Sequence, residues 1–158
     1  ISDGVQAACW KNPSKVAYKH GQKTRTYQEL KQRIDLTSGI IYKLSIPFDC
    51  NIAIVASNSI EYMEIVLAAS QLGHPIATVN PKLTANEIVS ICEDAEAKLI
   101  FVDEKVATLL DGRNISGVQG IIGIGNEMET WINQTECPVG RRHAPFSKRR
   151  QSQPGQER

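Results

Sequence analysis

IAIVASNSIEYMEIVLAASQLGHPIATVNPKLTANEIVSICEDAEAKLIFV, residues 52–102, alternates short apolar runs with capped amphipathic segments. Ile52-Ala53-Ile54-Val55-Ala56 is a continuous β-prone run of the kind buried on both faces. Asn58-Ser59-Ile60-Glu61 reads as a helix start, and Tyr62, Ile65, Val66, Ala69 and Leu72 follow on one side before Gly73 stops the helix. A second strand is expected over 76–79, and Asn80-Pro81 turns the chain. Thr84-Ala85-Asn86-Glu87 is a capping box opening a helix with Ile88, Ile91 and Ala95 inward, and Leu99-Ile100-Phe101-Val102 is a third strand. Strand, helix, strand with short connections builds a parallel sheet through right-handed crossovers. The fold class is therefore α/β, a mainly parallel sheet with helices on both faces.

Outward from this stretch, a helix is expected over 104–110, a fourth strand over 118–124 and a last helix over 127–133. Upstream, Asp3 is expected to cap a short helix that stops before Asn12-Pro13, since the residue before proline is pushed out of the helical region. Residues 15–19 alternate, with Val16 and Tyr18 on one face. His20-Gly21-Gln22 turns and 23–26 returns, giving a small hairpin before the sheet. Thr26-Tyr27-Gln28-Glu29 is another capping box, and Leu30, Ile34, Thr37, Ile41 and Leu44 then mark the buried face of a helix ending near Ser45.

At 158 residues, 41% hydrophobic and 22% charged, the chain has the composition of one globular domain. Its net charge of +1 hides an asymmetry: residues 1–140 carry 12 Lys+Arg against 16 Asp+Glu, and residues 141–158 carry 6 against 1. From Cys137 onward Pro, Gln and Arg replace any apolar period. Residues 1–136 are thus expected to form the α/β unit and 137–158 a basic, disordered tail. Phe146 is the one aromatic there to stack on a base, so the tail does not favour nucleic acid as a partner. No run approaches the roughly 20 apolar residues of a membrane span. Cys9, Cys50, Cys92 and Cys137 show neither metal-ligand nor redox spacing, and Cys92 falls in an apolar helical pattern, so reduced cysteines and a cytoplasmic location are expected. The chain opens Ile1-Ser2-Asp3, with neither Met nor an apolar leader, and is expected to be a fragment.

Candidate chemistry is sparse. Gly123-x-Gly125 follows a strand, but Met128 stands where a dinucleotide fingerprint has its third glycine, and a plain strand exit is the better reading. Asp103-Glu104 follows a strand and starts a helix, which capping explains. His20, His74 and His143 lack local partners. The sequence thus names no catalytic, cofactor-binding or metal-binding residue.

Several phrases run in one order: Thr26-Tyr27-x-Glu29-Leu30; Ile52-Ala53-Ile54 with Asn58-Ser59-x-Glu61; Leu67-Ala68-Ala69 and Gly73; Val79-Asn80-Pro81-x-Leu83-Thr84-x-x-Glu87-Ile88; Ala97-Lys98-Leu99-Ile100 with Val102-Asp103. In these the chain resembles the N-terminal portion of the adenylate-forming (AMP-binding) superfamily, which holds acyl-CoA synthetases, luciferases and peptide-synthetase adenylation domains. It is most similar to fatty-acid or aryl-acid CoA ligases. The resemblance implies activation of a carboxylate by ATP to an acyl-adenylate, then thioester formation, with ATP, Mg and CoA as cofactors of the full-length enzyme. The family's phosphate loop, adenine motif, ribose-binding Asp and catalytic Lys have no counterpart here, so no site residue carries over and no cofactor is expected for this chain alone. Gly140-Arg141-Arg142-His143 stands where the approach to the phosphate loop belongs, as a frame shift or a natural tail would produce. The resemblance therefore implies the N-terminal fragment of a fatty-acid-metabolising ligase, inactive alone. Self-association or pairing with a homologous full-length enzyme is expected, and a standalone α/β interaction module is the alternative.

Overall fold

The structure, a computed structural model, describes residues 2–134. The tail expected over 137–158, with Cys137 and His143 and the boundary at 136, lies outside the described residues. A helix α1 (Ser2–Lys11) leads into a hairpin of β1 (Val16–His20) and β2 (Lys23–Thr26), followed by α2 (Tyr27–Lys43). The repeating part follows as β3 (Ile52–Val55), α3 (Ile60–Leu72), β4 (Ile76–Val79), α4 (Ala85–Asp94), β5 (Leu99–Val102), α5 (Glu104–Leu110), β6 (Gly120–Gly123) and α6 (Asn126–Asn133). β3 to β6 form one parallel sheet in the order β4-β3-β5-β6, with Ile52 beside both Ile76 and Leu99, and Leu99 beside Gly120. The expected α/β class is what is observed.

That order places the helices. The β3-to-β4 crossover runs in one direction along the sheet and β4-to-β5 in the other, so right-handed connections put α3 and α4 on opposite faces. The strand side chains divide accordingly. Ile52, Ile54, Leu99, Phe101 and Ile122 pack with α2, α3 and α6, whereas Ala53, Val55, Ile100 and Val102 pack with α4 and α5. Every residue of β3 and β5 is buried, which is why both read as unbroken apolar runs.

Local chemistry sets most helix ends. Thr26 caps α2 and Thr84 caps α4, each hydroxyl accepting the N3 amide while Glu29 or Glu87 accepts the cap amide, at 2.7 and 2.8 Å. Gly73 ends α3 at φ +83, a conformation a Cβ would strain, and its amide returns to Ser70.

Six expectations are corrected. Ser59, not Asn58, caps α3, accepting the Tyr62 amide at 3.0 Å, so Glu61 is not at the position a reciprocal box requires. On α4 the inward residues are Ala85, Ile88 and Cys92, while Ile91 is 38% exposed. An irregularity between Val16 and Tyr18 breaks the β1 alternation, leaving Val16 exposed and Ala17 against the core. His20 ends β1, and the turn is Gly21-Gln22. Asp3 lies inside the first turn of α1 rather than ahead of it. The fourth strand is also shorter than expected, Gly120–Gly123.

Candidate functional site

In an open parallel sheet, a ligand crevice forms at the carboxyl edge where neighbouring connections leave in opposite directions. Here that point lies between β3 and β5. Beyond β3 the chain runs Ala56-Ser57-Asn58 into the Ser59 cap, and beyond β5 it meets Asp103. Asp103 fills the gap with its own carboxylate. Oδ1 accepts the Val106 amide at 3.0 Å, capping α5, and Oδ2 accepts the Ser57 amide at 3.3 Å. The main chain closes the same seam, the Asp103 amide donating to the Val55 carbonyl at 3.3 Å.

One strand further, Glu127 repeats the device. Its Oε2 accepts the Gly123 amide at 2.6 Å, and a Cβ at position 123 would lie 2.9 Å from that oxygen, so glycine makes room for the carboxylate. Gly125 starts α6 at φ +115. The Gly123-x-Gly125 turn is a strand exit whose amide serves Glu127. On the other side of β3, Asn80 Oδ1 accepts the Lys82 amide at 3.0 Å and tightens the turn after β4.

Two shallow depressions flank this edge. One, of about 360 Å³, lies between the start of α4 and the end of α5, lined by Lys82, Leu83, Thr84, Asn86, Leu109 and Arg113, with Arg113 Nη1 held on Asn86 Oδ1 at 2.8 Å. The other, of about 260 Å³, includes Val102, Leu110, Asp111, Ile121 and Glu127.

A separate charged cluster lies on the opposite face of the sheet. Glu64 of α3 has no exposed surface and accepts Arg33 Nε at 2.8 Å and Arg25 Nε at 3.2 Å, while Arg33 extends both Nη atoms to Glu129. Burial pushes the Glu64 carboxyl above its ordinary value against the pull of the two guanidiniums. Burial also opposes the charge on Arg33, but its hydrogen bonds and attraction to Glu129 and Glu64 outweigh that and raise it. Hairpin, α2, α3 and α6 are thereby joined by one charged network centred on the buried Glu64. Sequence reading missed Glu64, although it stands four residues after buried Ile60 and four before buried Ala68 and so shares their helical face.

The remaining candidates are dispersed. His20 is exposed at the hairpin end, and His74 is nearly buried with Nδ1 donating to the Cys50 carbonyl at 3.1 Å. Cys9, Cys50 and Cys92 are free thiols, and burial with nearby Glu93 pushes the Cys92 thiol up to about 11. Among the described residues, no three His, Cys, Asp or Glu side chains gather as a metal site would require, and no helix is long and apolar enough to cross a membrane.

Comparison with known proteins gives this geometry a setting. The family model described as AMP-binding enzyme matches residues 5–151. The chain is 26% identical over 123 residues to a 2-succinylbenzoate--CoA ligase of Geobacillus kaustophilus, a match covering 78% of the chain and 25% of that ligase. It also superposes on the N-terminal domain of FACL13 from Mycobacterium tuberculosis with a TM-score of 0.80, 18% identity and coverage of 91% of this chain and 39% of that one. For a fatty acyl CoA synthetase of the same organism the TM-score is 0.79 at 18% identity, covering 87% of this chain and 29% of the other. The chain spans a quarter or less of the length of the curated relatives it matches.

Proposed function

The chain belongs to the AMP-binding enzyme family, and from that premise we propose that it is the N-terminal scaffold of an ATP-dependent acid–CoA ligase, unable to adenylate a carboxylate alone. The likeness to a succinylbenzoate ligase and to fatty acyl CoA synthetases supports an aryl or fatty acid as the substrate of the complete enzyme. The observation that carries the reading is the state of the strand exits. Ser57 and Gly123 present amides at the sheet's carboxyl edge, and Asp103 and Glu127 already accept them.

ATP-dependent adenylation requires preorganised donors and positive charge around a triphosphate and its metal. Two carboxylates seated on these amides oppose a triphosphate's charge and occupy the donors it would need, so the residues of this edge do not fit a nucleotide triphosphate by themselves. The α/β unit would instead hold the sheet on which the rest of a ligase is built.

The test is pyrophosphate release by the purified chain with ATP, Mg²⁺, CoA and a panel of fatty and aryl acids. No acid-dependent release above background is expected. Release that saturates with one of the acids overturns the reading.

A further inference from the structure

The hairpin of β1 and β2 is joined to the rest of the fold by charge more than by packing. No residue of either strand is buried, and Ala17 is the one hydrophobic side chain of the two that packs against a core cluster. At the base of the hairpin the backbone is tied, the Tyr27 amide donating to the Lys15 carbonyl and the Gln28 amide to the Pro13 carbonyl, both at 3.0 Å. Apart from the Thr26 cap, two side-chain hydrogen bonds reach from the strands to another element among the described residues. Lys23 Nζ donates to Glu61 Oε1 and Arg25 Nε to Glu64 Oε1, each at 3.2 Å.

The two bonds match in register. Lys23 and Arg25, two apart, share one face of β2, and Glu61 and Glu64, three apart, share one side of α3. They differ in their access to water. The Lys23 side chain is 68% exposed, whereas Arg25 is 26% exposed and lies over a carboxylate with no exposed surface. Burial pushes that carboxyl up against the pull of Arg33 and Arg25, so lifting Arg25 away returns a disfavoured charge to water while Arg33 still holds Oε2 at 2.8 Å.

A two-stranded hairpin is at best marginally stable alone, so this ladder persists only while it lies on α3. We propose that the hairpin is a strap clasped to α3 by the Lys23–Glu61 and Arg25–Glu64 pairs, which lifts about its tied base from an otherwise intact sheet and uncovers Glu64. Ionic strength sets how often it opens, because salt screens the exposed outer pair and leaves the shielded inner pair most of its strength. β3 and β5 are buried at every residue and stay closed as the strap lifts.

The test is amide hydrogen exchange of the full chain, followed in the hairpin and in β3 and β5. Hairpin amides should exchange well ahead of those of β3 and β5, and faster in about 0.5 M than in about 0.05 M NaCl. Urea below the unfolding transition should change the hairpin rate little and raise the β3 and β5 rates steeply, since lifting the strap exposes little surface. Lys23→Gln should speed hairpin exchange about two- to fivefold and Arg25→Gln more than about tenfold. Lys19→Gln is the control, because Lys19 of β1 is exposed and makes no salt bridge among the described residues, and it should leave the rate unchanged. Hairpin amides that share the rate and urea slope of β3 and β5 open only with the whole fold and overturn the proposal. So does hairpin exchange in the wild type that is indifferent to salt, or that neither Lys23→Gln nor Arg25→Gln changes, since packing would then hold the strap.

Discussion

Arg33 and Glu129, 96 residues apart in sequence, are joined by two parallel hydrogen bonds, Nη1 to Oε2 at 2.8 Å and Nη2 to Oε1 at 2.6 Å. The pair clamps α6 onto α2, and the third guanidinium nitrogen, Nε, holds the buried Glu64. One side chain therefore serves an exposed partner and a fully desolvated one, and the two should differ in energetic weight.

Arg33→Ala leaves Glu64 with Arg25 alone, and breaking a buried pair costs about 3–5 kcal/mol. Glu129→Gln removes a carboxylate that is 43% exposed and should cost less than about 1 kcal/mol. Urea unfolding of the two variants checks the contrast, and equal losses would contradict it.

The capping boxes make stability depend on acid. Hydrogen bonds from the Thr26 backbone and side chain hold the Glu29 carboxyl below its ordinary value, and those from the Thr84 side chain and backbone do the same for Glu87. A carboxyl depressed in the folded state contributes stability above its unfolded pKa and loses that contribution as pH falls through the folded one. Wild type should therefore melt above the Glu29→Gln, Glu87→Gln variant near neutrality, and the gap should close as pH falls through the carboxylate range. A gap that widens in acid would refute the assignment.

Cys92 should resist alkylation. Its thiol is buried and pushed up to about 11, and the thiolate is the reactive form. Iodoacetamide labelling followed by peptide mass mapping should modify Cys9 and Cys50 before Cys92, which reacts only on unfolding. Labelling of Cys92 at the rate of the unfolded chain is the contrary result.

Asp103→Ala removes a helix cap and the tie to Ser57 together, for an expected loss of about 1–2 kcal/mol, at the upper end for a single cap. Asp103→Asn keeps an acceptor and should recover most of it. Chemical denaturation of both variants gives the comparison.

We propose that the face bearing α4 and α5 meets a second copy or a homologous full-length enzyme. Ile91, Leu109 and Ile121 expose 38, 43 and 36% of their surface there, and exposed apolar side chains favour association. Sedimentation velocity should show concentration-dependent association that Leu109→Lys and Ile121→Lys reduce. A monomer at all concentrations would count against it.

What the sequence by itself determined was whatever depends on a few adjacent residues. β3, β4 and β5 read as apolar runs, the Thr26/Glu29 and Thr84/Glu87 boxes as helix starts, Gly73 as a stop and Asp103 as a cap, because each is a bond or a backbone preference spanning about four residues. Tertiary structure decided what depends on which surfaces meet. Asp103 reaches Ser57 only because β3 and β5 are neighbours, a consequence of crossovers running in opposite directions from β4. Ser59 rather than Asn58 caps α3, and Ile91 points outward while Cys92 points in, because packing against the sheet sets the rotation of each helix and a spacing near 3.6 leaves neighbouring positions ambiguous. Glu64 shows this most clearly: its helical position placed it on the inner face, but a carboxylate can remain there only where Arg33 and Arg25, brought from α2 and the hairpin, replace the water it loses.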